Sequence, residues 1–454
     1  MGMVTLSWSS RRPRRIVRIA LAIIALSAGV PPAVAGEREA GDRNCDLTST
    51  GQVPLVDLGA DTYMDAEGGL YPQGSNEIPA SHLALGLERA AAITPRNDSG
   101  DPDPSGVVAM VSIGVSNTAR EFAVFSDVVA AAPDVDPAMV FVNAAQGGQD
   151  LTIWSDPAGR PWIGLDTALA EAGVTPEQVQ AAWIKLVDRV DGATPEPFPD
   201  HATAYRERLA TVLQTLQDQL PNLQVAYLSS RTYGGYNDVS SPSPEPTAYE
   251  EGFGVKWTIE RQMAGDPDLN ADPDSGPVVA PWIAWGPYLW ADGTNPRGDG
   301  LTWECRDFRA DGVHPVGTGN DKVARMLLAF LEEEPTAAWM FADRELPPAP
   351  EATGESIPTS TIGEPPPGTS APPTAGTTTS EVAETTDSAA ATSVDDVRSP
   401  TTTSEVAAPS DRGGRDRSVP VFVWLVVGAA AALALIGAGI ALGRGRAEDP
   451  HSDS

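Results

Sequence analysis

The chain has 454 residues, of which 62 are acidic and 30 basic, and its formal charge at pH 7 is -32. Such a charge repels phosphate backbones and anionic headgroups, which excludes nucleic acid as a partner. The two cysteines are too few for a dense disulfide scaffold or a four-thiolate metal site.

The N-terminus has the pattern of a secretory signal peptide. Several arginines precede an apolar run at residues 19–30, and Ala33 and Ala35 supply the small residues of a cleavage site. A retained membrane anchor is the alternative, but the apolar run is short for a span. We therefore expect residues 1–35 to be removed and the mature chain to begin near Gly36.

A second apolar segment, residues 420–443, is predicted to span a membrane. Residues 421–442 carry no charge and, at about 1.5 Å per residue, are long enough for a hydrocarbon core of about 30 Å. Arg444 and Arg446 follow, so the positive-inside preference places the tail, residues 444–454, in the cytoplasm. The chain is therefore expected at the cell membrane with a single span, and everything before the span is expected outside the cell.

Two further features fit an extracellular location. Residues 346–419 are rich in Pro, Thr, Ser, Ala and Gly and have few apolar residues to offset ordering entropy, which predicts a disordered stalk open to O-glycosylation. Cys45 and Cys305 can pair in an oxidising compartment. We expect a disulfide that fastens the start of the folded part to a late loop.

The remaining residues, 36–345, are predicted to form one α/β domain. Short apolar runs alternate with amphipathic helical stretches, the pattern of parallel strands joined through helices. The predicted strands are residues 107–113, 138–142, 181–184 and 223–228. The clearest predicted helices are residues 199–220 and 320–331. Near-continuous apolar strands suit a sheet covered on both faces, so we expect a three-layer α/β/α sandwich with a mostly parallel sheet.

Ligands of such sheets bind beyond the carboxyl ends of the strands, and Ser116 follows the first predicted strand there. A helix is predicted directly after it, and the N-terminus of a helix favours developing negative charge. Ser116 is therefore a candidate nucleophile. Helix capping is the alternative, because Thr118 and Glu121 have the spacing of a capping box.

Two more loops at that edge carry candidate residues. Gly147 and Gly148 follow the second strand, where glycine lets a backbone N–H approach an oxyanion, although a plain turn also uses such a pair. Asp311 and His314 precede the last helix, where a carboxylate can orient the imidazole that accepts a proton from serine. A turn with a surface histidine is the alternative.

Taken in this order, the three loops resemble the sequence blocks of the SGNH (GDSL-type) hydrolase superfamily. Asp311-Gly-Val-His314 is similar to the last block. Gly114-Val-Ser116-Asn117 is similar to the form of the first block found in the sialate O-acetylesterase and acetylxylan esterase branch.

The Gly147-Gly148 pair, with Trp154 downstream, is similar to the second block of that branch. The resemblance as a whole covers about residues 107–331. It implies the flavodoxin-like SGNH fold and a carboxylesterase or acetylesterase that needs no cofactor and no metal. Ser116, His314 and Asp311 would form the triad, and Gly148 and Gly147 would lie at the oxyanion hole.

Lys185 marks a departure at the third block, where the superfamily usually offers an amide side chain to the oxyanion hole. We expect a lysine near that position, which leaves only the N–H groups of Ser116 and Gly148 as donors. This departure keeps an alternative open: a surface glycan-binding or adhesion module with an SGNH-like fold and weak catalysis.

Trp282, Trp285 and Trp290 crowd the segment before the last block, and exposed aromatic rings can stack on sugars. Together with the location, they predict an O-acylated, in particular an O-acetylated, glycan of the cell envelope as substrate. Packing in a half-buried loop is the alternative. Residues 266–274 space acidic side chains as a calcium loop would but lack its glycine and final glutamate, so a solvated acidic loop is expected.

Overall fold

The computed structural model describes residues 43–188, 196–237 and 244–350. The predicted signal peptide, transmembrane segment and tail lie outside these ranges, as does all but the beginning of the stalk. Within the ranges, no helix combines the length and the apolar character that a membrane span requires. All described residues up to 345 belong to the predicted α/β domain.

The strands within these residues are β1 Thr62–Tyr63, β2 Ala66–Glu67, β3 Val108–Gly114, β4 Met139–Asn143, β5 Val179–Lys185, β6 Val225–Leu228 and β7 Trp282–Trp285. The first two pair as a small antiparallel ladder. The other five form one parallel sheet in the order β4-β3-β5-β6-β7. If the five strands are numbered in chain order, the sheet has the flavodoxin-like order 2-1-3-4-5. Proteins with this strand order bind ligands beyond the carboxyl ends of the strands.

The helices within the described ranges are α1 Leu55–Leu58, α2 Ala80–Ala91, α3 Ser116–Ala130, α4 Leu151–Trp154, α5 Arg160–Ala172, α6 Asp200–Gln219, α7 Thr247–Met263 and α8 Thr318–Glu333. Crossovers between parallel strands are right-handed, so the reversal of strand order after β4 puts α3 and α5 on opposite faces of the sheet. On these faces α3 packs against α8, and α6 packs against α7. The predicted α/β architecture with a parallel sheet is confirmed.

The four predicted strands correspond to β3, β4, β5 and β6. Every residue of β3 and of β5 is buried, as expected of strands covered on both faces. The predicted helices correspond to α6 and α8, whose apolar faces are buried against the core. The sequence interpretation missed β7, because this short tryptophan-containing run lies among loop residues.

The start of the described chain is fastened to a late loop. Cys45 and Cys305 form a disulfide with Cα atoms 5.5 Å apart, which confirms the predicted pairing. Arg43 donates from its guanidinium to the carbonyl oxygens of Cys305 and Phe308. Its backbone N–H donates to the carbonyl oxygen of Ala310. The N-terminal segment therefore holds the loop that leads to the last helix.

The acidic stretch 266–274 is a hydrogen-bonded surface loop. Asp266 caps the turn Pro267–Leu269 and forms an ion pair with Arg261. Asp272 accepts a hydrogen bond from a backbone N–H two residues later. Nowhere in the three described ranges do His, Cys, Asp and Glu side chains cluster in a way that could hold a metal ion.

Replacing both cysteines, Cys45→Ser with Cys305→Ser, is expected to lower the free energy of unfolding by about 2–5 kcal/mol. The physical reason is that the bridge joins residues 260 positions apart and so restricts the unfolded chain. Thermal unfolding of the full-length protein, followed by circular dichroism, measures the change. A Tm equal to that of the wild type would show that the hydrogen bonds of Arg43 suffice, and would contradict the expectation.

Candidate active site

The structure brings Ser116, His314 and Asp311 into one hydrogen-bonded relay. The Oγ of Ser116 lies 2.7 Å from Nε2 of His314, and Nδ1 of His314 lies 2.9 Å from Oδ2 of Asp311. A carboxylate only accepts hydrogen bonds, so the imidazole donates from Nδ1, and its Nε2 accepts from the serine hydroxyl. This is the arrangement in which an imidazole can remove the proton of a serine.

Ser116 is the first residue of α3, directly beyond the carboxyl end of β3. Its backbone N–H has no partner within the helix, and the positive end of the helix dipole favours negative charge there. The capping box considered from the sequence is absent. The hydroxyl of Thr118 donates to the carbonyl oxygen of Lys185, and the carboxylate of Glu121 accepts from the Lys185 ammonium.

A tight turn presents Asp311 and His314. The N–H of Gly312 donates to the carbonyl oxygen of Arg309, whose own N–H donates to the carbonyl oxygen of His314. Gly312 has a φ of +66°, and a Cβ at this position would lie 1.9 Å from the carbonyl oxygen of Tyr236. Only glycine fits such a conformation and so close an approach.

The carboxylate of Asp311 is held in its charged form. Burial acts to raise the pKa of Asp311, but hydrogen bonds from the N–H groups of His314 and Val313 and from the imidazole outweigh it and leave the pKa below its usual value. Asn117 supports the same turn, because its side-chain amide donates to the carbonyl oxygen of Val313 at 3.0 Å. The base is thus oriented from two directions.

A cavity of about 450 Å³ opens beside the relay and is lined in part by Ser116, His314 and Gly148. Gly148 has a φ of +74°, and its N–H donates no hydrogen bond to any group in the described ranges. A Cβ on Gly147 would lie 3.6 Å from the Cβ of Ser116. The two predicted oxyanion-hole glycines therefore lie next to the predicted triad.

Lys185 does not point into this cavity, which corrects the expectation from the sequence. Its ammonium lies 2.6 Å from the Glu121 carboxylate, and neither side chain has any exposed surface. Burial lowers the pKa of Lys185, and Glu121 acts in the opposite direction. At the carboxyl end of β5, the residue that lines the cavity is the apolar Val187.

The predicted substrate-binding tryptophans are buried. The prediction that their rings are exposed and stack on sugars was therefore wrong. Trp282, Trp285 and Trp290 are 0%, 2% and 0% exposed. The first two belong to β7, which is covered by α2 and α7. Their indole N–H groups donate to the carbonyl oxygens of His82 and Leu70, and that of Trp290 donates to the carboxylate of Glu245. These rings are part of the core and cannot stack on a sugar.

Sequence reasoning missed Arg231, which lines the same cavity and is only 1% exposed. It lies three residues beyond the end of β6, in the kind of position where the other candidates were sought. The other described histidines do not compete with His314. His82 is buried against the carbonyl oxygen of Ile283, and burial lowers its pKa to about 4. His201 is buried beside Glu250.

The half-buried Glu245, just before α7, is expected to make stability depend on pH. Glu245 accepts hydrogen bonds from the backbone N–H groups of Gly234 and Tyr249 and from the indole of Trp290. Burial outweighs these bonds and raises the pKa of Glu245 to about 7. The folded protein therefore holds this proton more tightly than the unfolded chain.

A raised carboxyl pKa stabilises the fold below the unfolded value of 4.5, and this contribution is lost as pH rises through about 7. We expect the Tm of the wild type to fall more steeply than that of Glu245→Gln between about pH 5 and pH 8. Thermal melts of both proteins across this range measure the difference. Parallel pH profiles would contradict the expectation.

No family model matches the chain, and no curated protein sequence matches it. Solved structures do match. A GDSL-like lipase from Bacteroides thetaiotaomicron is 11% identical, with a TM-score of 0.27, over 56% of this chain and 98% of that chain. A second GDSL-like lipase, from Parabacteroides merdae, is 14% identical, with a TM-score of 0.27, over 52% and 97%.

An acylhydrolase from Bacteroides fragilis is 11% identical, with a TM-score of 0.28, over 56% of this chain and 97% of that chain. At such identities and TM-scores, no residue role is carried over from these proteins. Their descriptions name GDSL-like lipases and an acylhydrolase and do not single out the sialate O-acetylesterase branch.

Proposed function

We propose that the chain is a serine esterase of the SGNH type. The observation that carries the proposal is the relay from the Ser116 hydroxyl through His314 to Asp311 beside an open cavity. Every role of acyl transfer then has a group in place: a nucleophile, a base, a residue that orients the base, and backbone donors for the oxyanion.

In this mechanism the Oγ of Ser116 attacks the ester carbonyl carbon, and Nε2 of His314 takes the hydroxyl proton. The N–H groups of Ser116 and Gly148 face the developing oxyanion. The bond to the alcohol breaks as the imidazolium returns the proton to the leaving oxygen. Water then attacks the acyl-enzyme with His314 again as base, which releases the acid and restores the serine. Asp311 stabilises the imidazolium in both halves.

The alternative of a glycan-binding module with weak catalysis loses the observations that favoured it. Lys185 is in a buried ion pair and does not obstruct the site. The tryptophans that would have contacted sugars are in the core. The esterase is therefore the better supported function.

We propose an O-acyl ester with a short acyl group, such as acetyl, on a cell-envelope glycan as the substrate. Val115, Val187 and Val313 line the cavity beside the nucleophile, and apolar side chains of this kind suit a small acyl group. The extracellular placement that would bring such a glycan to the site rests on the predicted signal peptide and on the predicted anchor at residues 420–443. No partner beyond the substrate and the membrane is proposed.

The full-length protein is expected to hydrolyse p-nitrophenyl acetate, and Ser116→Ala and His314→Ala are each expected to lower kcat by at least ~10³-fold, because triad members act as a unit. Labelling by a fluorophosphonate probe should disappear in Ser116→Ala, since only an activated serine reacts.

Ser126→Ala is the matched control. Ser126 lies on the same helix, and its hydroxyl donates to the Phe122 carbonyl oxygen within that helix. This variant should keep wild-type turnover and labelling. An inactive but folded wild type, or turnover that survives Ser116→Ala, would refute the esterase.

A further inference from the structure

In the described residues at the carboxyl end of β5, which stop at Asp188, no side chain that lines the cavity is a polar donor for the oxyanion. Lys185 is turned away into its ion pair with Glu121, and Val187 supplies an apolar side chain to the cavity. A site built on the Ser116 and Gly148 N–H groups alone would forgo one donor. In comparable sites one donor is worth about 10²- to 10³-fold in kcat.

The next strand of the sheet supplies a candidate for the missing donor. Arg231 follows β6 and contributes to the wall of the cavity that also contains Ser116 and His314. The chain between the end of β6 and Arg231 is bonded to β5, because the N–H of Ser229 donates to the carbonyl oxygen of Ile184 at 2.9 Å. The loop after β6 thus continues alongside the end of β5, on the side where the donor is lacking.

Because Arg231 is buried, its charge acts strongly on groups in the cavity. The residue is 1% exposed, so its charge is poorly screened by water. A guanidinium stays protonated in proteins and presents five N–H donors in a planar fork. Burial lowers the pKa of Arg231, and nearby carboxylates, foremost that of Glu251, act in the opposite direction.

We propose that Arg231 is a catalytic residue of this site and that its guanidinium donates a hydrogen bond to the ester carbonyl oxygen as this atom becomes an oxyanion. The inference rests on the proposed esterase function. As the bond from Ser116 Oγ to the carbonyl carbon forms, the π electrons move to the carbonyl oxygen and the hydroxyl proton moves to His314. Arg231 stabilises that oxygen and exchanges no proton. When the alcohol leaves, the electron pair on that oxygen re-forms the C=O bond, and His314 gives its proton to the leaving oxygen.

Two variants and one control test the proposal on the full-length protein. Arg231→Met removes the charge and the donors, whereas Arg231→Lys keeps a charge without the planar fork. The control is Arg297→Met, which removes another buried arginine, 7% exposed, that bonds to backbone carbonyls of Tyr288 and Trp290. Arg297 is not among the residues that line the cavity.

For p-nitrophenyl acetate, Arg231→Met should lower kcat about 10²- to 10³-fold with KM changed less than about 3-fold, since an oxyanion donor acts mainly in the transition state. Arg231→Lys should lie between this variant and the wild type. The Ki of phenylboronic acid, which forms a tetrahedral anion on serine, should rise by the same factor as kcat falls. The Ki of p-nitroacetanilide, a ground-state mimic, should stay nearly constant. Arg297→Met should keep kcat and both Ki values.

A purely structural arginine would give a different result. Arg231→Met would then keep kcat, or lose boronate and anilide affinity alike, and either result overturns the proposal. A wild-type crystal structure with phenylboronic acid provides a test that needs no variant to fold. The guanidinium should lie within about 3.2 Å of a boronate oxygen, and a gap above about 3.5 Å would overturn the proposal. A wild type that neither turns over ester nor reacts with fluorophosphonate would instead refute the esterase itself.

Discussion

The buried ion pair between Lys185 on β5 and Glu121 on α3 sets where Ser116, the proposed nucleophile, can lie. Its ammonium contacts both carboxylate oxygens at 2.6 Å, without exposed surface on either side chain. Such a pair contributes little more to folding stability than apolar packing would, yet removal of one partner lowers stability by about 3–5 kcal/mol. A shift of the helix that separated the two charges would therefore be strongly unfavourable. The Thr118 hydroxyl adds a bond of 2.7 Å to the same strand. Because Ser116 is the first residue of this helix, the pair also fixes the position of the proposed nucleophile.

The rest of the site follows from the geometry of the parallel sheet. The loops after β3, β4, β5 and β6 meet at one edge and each contributes a residue to the cavity. The proposed base is different, since His314 lies in a loop that does not directly follow a strand. It is held instead by Asn117, by the close packing of Gly312 on Tyr236, and by the N-terminal segment that begins at Arg43.

Much of this could be predicted from the sequence, because buried parallel strands are nearly continuous apolar runs. Once these runs are ordered, the loop positions of Ser116 and Gly148 follow, and the last predicted helix locates His314. The direction of a single side chain does not follow in the same way. Lys185 was expected near the oxyanion, but its side chain turns to a carboxylate on a helix 64 positions away in sequence, a pairing that only the packed layers reveal.

The tryptophans were misread for a related reason. A short strand at the sheet edge and an aromatic loop have the same local composition, and what distinguishes them is the cover that α2 and α7 provide. Arg231 was missed because it belongs to no sequence block. Its relevance comes from the cavity that it shares with the triad, and a cavity is a property of the assembled sheet edge.

Arg43 and Cys45 attach the start of the described chain to the loop before the last helix. If residues 1–35 are removed as a signal peptide, this attachment would link the site to the maturation of the chain. Arg43 lies only a short distance beyond the predicted cleavage point of the signal peptide. While thiols remain reduced, this segment would be held by hydrogen bonds alone, and the turn that carries Asp311 and His314 would lose its covalent tie. Under the proposed topology, the catalytic loop becomes fully fastened only after export, where an envelope ester would first be encountered.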